Sequence, residues 1–200
     1  MAFTTCFGTV SESISQNCSS PIVGGYTGRG VLVDLSLNPT WTVDQTDNHI
    51  ISAIAFPVDS TGAKFIAIDN VWTDAFTGST TALSGDNARP EFTKTFTFRI
   101  PRRGSEVSTD FIEPLVFSPL GYAAVLEKMD RIGNGSFEII GYRKALKVNS
   151  DGVSRNEYEN GGDITVTMST NENWFEVVYF STDYATTLTA FEAMYSTNAY

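Results

Sequence analysis

The stretch Phe92-Thr-Lys-Thr-Phe-Thr-Phe98 decides the fold class, because its apolar residues recur with a period of two. Phe92, Phe96 and Phe98 face one way, and the threonines and polar groups face the other. That is a β-strand with one solvated face. Outward from it, the same signal repeats. Val31-Leu-Val-Asp-Leu-Ser-Leu37 alternates, with Val31, Val33, Leu35 and Leu37 on one side. Ile50-Ile-Ser-Ala-Ile-Ala-Phe56 is an apolar run ended by Pro57, and Lys64-Phe-Ile-Ala-Ile-Asp69 follows a Ser60-Thr-Gly62 turn. Gly121–Met129 and Ser136–Tyr142 flank Gly133-Asn134-Gly135, and Asn-Gly suits the positive φ values of a type I′ hairpin turn. Asp163–Met168 and Trp174–Phe180 predict a second hairpin across Ser169 to Asn173.

Helix signals are scarce. Tyr184, Leu188, Phe191 and Tyr195 form a stripe at helical spacing over 183–195, with Ser181 and Thr182 as candidate caps. A short helix is expected near Ser108 to Phe117, broken or started at Pro114. Trp72–Pro90 and Val148–Gly162 lack periodicity and read as long loops. The pattern predicts a mainly β chain: one domain over 1–200, an antiparallel β-sandwich or barrel with a C-terminal helix and long loops or arms.

Charge narrows the functional classes. The 200 residues carry 23 Asp and Glu against 13 Lys and Arg, a net charge of −10. A protein that holds nucleic acid concentrates cations to replace the counterions of phosphate, and this chain does the reverse. The only cationic doublet, Arg102-Arg103, is expected at a loop, where it fits carboxylates of a neighbouring copy better than DNA. No stretch is long and apolar enough for a membrane helix. The N-terminus lacks a basic region followed by an apolar run, so folding is expected in the compartment of synthesis.

Catalytic constellations fail on their own terms. His49 is the single histidine, and no G-x-S-x-G elbow accompanies it. Gly24-Gly-Tyr-Thr-Gly-Arg-Gly30 lacks the Lys-Ser/Thr of a phosphate loop and precedes a strand rather than a helix. Asn149-Ser-Asp151-Gly152, aligned on the glycine of a calcium loop, puts Lys147 and Tyr158 where ligands belong, and reads instead as a turn. Asp110 with Glu113, and Glu157 with Glu159, are the chance pairs of an acidic surface. Cys6 and Cys18 are free thiols in a reducing compartment or a disulfide after oxidation, and a metal pair lacks further ligands. The chain is therefore read as no enzyme and as using no cofactor.

A resemblance adds to this. Cys6…Cys18-Ser-Ser-Pro21-Ile22-Val23-Gly24-Gly25 and Asp183-Tyr184-Ala185-Thr186-Thr187 resemble virion structural proteins of tailed bacteriophages and prophages of Bacteroidota-type hosts, most of all major tail-tube proteins. The resemblance implies a subunit assembled in the host cytoplasm into stacked, hexameric rings, and found in the virion beside other virion proteins. It implies arms that engage neighbours: residues 1–30, and a 72–90 loop in which Trp72 and Phe76 are candidate contacts, with Arg102 and Arg103 as further interface residues. An acidic lumen would let DNA pass without gripping it. Thr93, Thr95 and Thr97 suit a strand face that is either wet or covered by another copy. The alternatives are a head-decoration, neck or connector protein, and a β-domain that binds a small molecule or glycan through Trp41, Trp72 and Trp174.

Overall fold

The computed structural model describes residues 25–58, 64–69, 79–84, 91–100, 104–131, 133–155 and 163–196. Among the described residues, eleven strands form two sheets: β1 (Tyr26–Asp34), β2 (Thr40–Val43), β3 (Ile50–Ala55), β4 (Phe65–Asp69), β5 (Ser79–Ser84), β6 (Glu91–Ile100), β7 (Tyr122–Lys128), β8 (Phe137–Ile140), β9 (Lys147–Arg155), β10 (Ile164–Glu172) and β11 (Val177–Tyr179). A seven-stranded sheet runs in the order β2-β3-β11-β8-β7-β1-β4, and a four-stranded sheet in the order β5-β6-β10-β9. Pairing is antiparallel except between β11 and β3. The sheets pack face to face as a sandwich.

The large sheet is buried on both faces. Leu32, Ala124, Leu126 and Ile140 meet Phe96, Phe98, Val166 and Met168 of the small sheet. Val31, Val33, Val125, Phe137 and Ile139 point the other way, against Phe191 and Met194 of α3 (Tyr184–Ser196). A third layer therefore explains why Val31, Leu32 and Val33 are all apolar, since neither side of β1 meets water. Asp183 caps α3, its Oδ1 accepting the Thr186 N–H at 2.8 Å. The cap is thus Asp183, not Ser181 or Thr182.

Several sequence-based expectations change. The strand over 31–37 stops at Asp34, whose Oδ1 accepts the Ser36 N–H at 2.8 Å and turns Leu35–Leu37 into a 3-10 turn. β7 and β8 do pair as a hairpin, but Gly133–Ser136 forms a 3-10 turn and Asn134 has no positive φ, so the turn is not type I′. The second hairpin is absent. β10 runs on to Glu172 because Ile164, Val166 and Met168 keep alternating into the sandwich. Residues 173–176 then cross to the other sheet, where β11 lies beside β3 and β8.

The two supposed loops each hold strand, β5 lying within 72–90 and β9 entering 148–162 from Lys147. Both are edge strands, whose polar residues hide the alternation that a buried strand displays. The calcium-like Asn149–Gly152 lies within the bounds of β9, at the register break between the Val148–Met168 and Val153–Val166 pairs. A Cβ on Gly152 would fall 2.4 Å from the Thr167 oxygen, so the strands approach too closely there for any side chain. The helix near Ser108 to Phe117 extends over 105–117, as α1 (Ser105–Val107), a π-helical stretch Ser108–Ile112 and α2 (Glu113–Phe117). Pro114 has no N–H to give and its ring crowds the carbonyl one turn earlier, so the widened turn carries the helix past it.

Candidate functional site

The alternation that places Phe96 and Phe98 inside the sandwich also places Lys94 there, fully buried. The expectation that polar groups of this strand face solvent therefore fails at Lys94. By the same parity β10 brings in Glu172, after Ile164, Val166, Met168 and Thr170. β8 contributes Glu138, next to Ile139 and Ile140. These three meet at one end of the sandwich, Lys94 Nζ lying 3.1 Å from Glu172 Oε2 and 4.0 Å from Glu138 Oε1.

Surrounding groups hold both carboxylates. The Gly141 N–H donates to Glu172 Oε1 at 3.0 Å. Gly141 has φ +89°, and a Cβ there would meet the Tyr122 carbonyl at 2.8 Å, which only glycine tolerates. The Tyr26 hydroxyl donates to Glu138 Oε2 at 2.7 Å, and Lys128 Nζ lies 3.5 Å from the same oxygen. Lys128 also pairs with Glu176. Burial pulls the Lys128 pKa down, but the Glu176 and Glu138 carboxylates more than compensate, and the net direction is up. Lys94 Nζ and Glu172 Oε2 nevertheless make no hydrogen bond of good geometry, despite their contact.

Directly across the large sheet, beneath α3, lies a second ionic group. Buried Glu127 accepts from Arg29 Nε at 2.7 Å and from the Thr27 hydroxyl at 2.8 Å, both through Oε2. Arg29 also lies over the Phe191 and Tyr195 rings of α3. Its pKa is lowered by burial and raised by Glu127 and Glu192, with a net rise. The arrangement ties β1, β7 and α3 together, and presents no reactive pair.

His49 is structural. Its Nδ1 lies 3.0 Å from the Glu176 carbonyl, and its ring stacks on Trp174 with centroids 4.5 Å apart. The Arg143 guanidinium sits 3.8 Å from the centre of the same indole. The two groups cannot share one face at those distances, so Trp174 is sandwiched between them. Trp41 packs edge-on to Tyr142 at 5.2 Å and against the core beneath α3. Neither indole is laid open as a stacking platform.

Other expected site residues are placed unevenly. Trp72, Phe76, Arg102, Arg103, Cys6 and Cys18 lie outside the described residues, as do Glu157 and Glu159. Of the glycine-rich lead-in, Gly25 and Gly28 have positive φ, and Tyr26–Gly30 belong to β1 in the large sheet rather than to an arm. Asp110 and Glu113 are exposed, in a stripe with Glu106 on the outer side of 105–117. No metal-binding group of three or more His, Cys, Asp or Glu occurs among the described residues. The signal that would have found Lys94, Glu138 and Glu172 is parity: each is a charge written at an inward position of a strand.

The chain matches no family model, no curated protein and no solved structure.

Proposed function

We propose that this chain is a self-assembling structural subunit of a phage virion, a tail-tube protein whose stacked rings conduct DNA. The observation that carries the assembly part is the edge strand β5. Its sequence, Ser79-Thr-Thr-Ala-Leu-Ser84, has no charge and no proline, and its six residues pair with β6 in unbroken register. Edge strands are normally blunted by charge, proline, a bulge or shortness, because their unpaired N–H and C=O groups template another strand. The other edges are blunted. β9 carries Lys147, Asp151 and Arg155 and a register break against β10, β2 has four residues and a break beside Thr42, and β4 has five residues ending in Asp69.

The face next to β5 fits the same use. Thr93, Thr95 and Thr97 alternate with the inward residues of β6, and Thr165, Thr167 and Ser169 face the same way on β10. Thr93 bonds to Asn171 and Thr97 to Thr167, an array of hydroxyls bounded on the same row of β6 by Glu91 and Arg99. A charge-free centre with charges kept to its rim is the layout of an interface. The lumen argument is narrower than the net charge suggested. Glu127, Glu138 and Glu172 are buried against cations, so only exposed acid such as the Glu106, Asp110 and Glu113 stripe is left to repel phosphate.

Light scattering across a concentration and salt series, with negative-stain microscopy of the concentrated protein, tests this reading. Rings or tubes are expected, and Leu83→Lys, a charge on the exposed edge, should suppress them. A chain that stays monomeric under every condition would overturn the proposal.

A further inference from the structure

The contact between Lys94 and Glu172 has the composition of an amide-forming site. A primary amine and a carboxyl are held 3.1 Å apart, both sealed from water and neither hydrogen-bonded to the other. Lys94 pairs with Thr170 in register and Glu172 with Phe92, so the two are diagonal neighbours on the inward face of adjacent strands. The remaining requirements of acyl transfer surround them. The Gly141 N–H points at Glu172 Oε1, where negative charge would develop. The Glu138 carboxylate stands 4.0 Å from Nζ, its other oxygen fixed by Tyr26 and Lys128. An ion pair in this position bears the desolvation of two charges without full hydrogen bonding in return. Conversion to an amide removes both charges.

We propose that Lys94 and Glu172 condense after folding into an intramolecular isopeptide bond, with Glu138 carrying the proton. A proton passes from the ammonium to Glu172 Oε2, which leaves a neutral amine beside a carboxylic acid. The Nζ lone pair attacks Cδ of Glu172, and the charge formed on Oε1 is held by the Gly141 N–H. Glu138 takes a proton from the attacking nitrogen and gives it to the Oε2 hydroxyl, which departs as water. One N–C bond forms and one C–O bond breaks. No oxidant, cofactor or activated intermediate is needed. Holding the two groups at contact replaces a bimolecular encounter, the source of high effective molarities in enclosed sites. The bond would staple β6 to β10 at the end of the sandwich where packing is polar, and it does not depend on the assembly reading.

Intact mass spectrometry of the purified full-length chain decides the matter. Thiols are reduced beforehand and loss of the initiator methionine is allowed for. The expected mass is one water below that of the sequence, and digestion should yield a branched peptide joining the segments around Lys94 and Glu172. Lys94→Arg keeps the positive charge but not the amine, and should appear at its full sequence mass while circular dichroism reports a folded β protein. Glu138→Gln should fold and retain the unlinked mass far longer than the parent chain. A folded parent chain at full sequence mass, without branched peptide after prolonged incubation, overturns the proposal. A Lys94→Arg variant that still lost one water would overturn the assignment to Lys94.

Discussion

The two ends of the sandwich interior are built on opposite principles from the same pair of strands. At one end Phe98 of β6 stacks with Phe96 at 5.3 Å and meets Phe111 edge-on at 6.3 Å, with Leu115 and Leu146 closing the layer. At the other end, one further step along the same inward row, Lys94 faces Glu138 and Glu172. The apolar end gains from every atom removed from water and tolerates no cavity. The ionic end gains little net free energy from burial, because desolvation offsets attraction, yet it collapses if one partner is lost. The lesson is that burial and stabilisation are different properties. Here the most enclosed charges sit where the structure has something to specify, or to join, rather than where it is held hardest.

The contrast can be broken by substitution. The largest effect is expected at the apolar end. Phe98→Ala should cost about 3–5 kcal/mol in chemical denaturation, through lost transfer energy and an unfilled cavity. Lys94→Met comes next, at about 3 kcal/mol relative to the unlinked chain, because it leaves Glu172 buried without its cation. The sharper form is the double variant Lys94→Met with Glu172→Met, which should be more stable than either single change. A double variant that simply adds the two losses would show that the ionic end is held like the apolar one.

Lys128 probes the rim of the ionic end. Its pKa is raised in the folded chain, so its contribution is fully present below the unfolded-state value and is lost as pH rises through the folded value. Stability of the parent chain should therefore fall in alkaline solution more steeply than that of Lys128→Gln. Asp183 lies at neither end, and the smallest effect is expected there. Hydrogen bonds from Thr186 lower its pKa, so the cap contributes above the unfolded carboxylate value and fades as pH falls through the folded one. Asp183→Ala should be slightly less stable than the parent at neutral pH, with the gap closing in acid.

The β class and the C-terminal helix were legible because alternation at Phe92–Phe98 and helical spacing at Tyr184–Tyr195 survive burial unchanged. Partners of strands were not. Nothing in Ile164–Met168 announces that its strand continues through Thr170 and Glu172, which sends Val177–Tyr179 to the other sheet. Edge strands such as Ser79–Ser84 escaped because an edge needs no apolar face to form, only a neighbour to pair with. The ionic site was written in plain view, as a lysine in register with phenylalanines. It was misread because charge outweighed parity.

The central claim, assembly through β5, which ends its sheet among the described residues, is tested most directly by hydrogen–deuterium exchange over a range of protein concentrations. The Ser79–Ser84 amides that point away from β6 should exchange quickly in dilute solution and become protected as concentration rises, while those of the blunted edge β9 stay unchanged. Exchange of Ser79–Ser84 that is the same at every concentration, including samples in which assemblies are visible, would contradict the account.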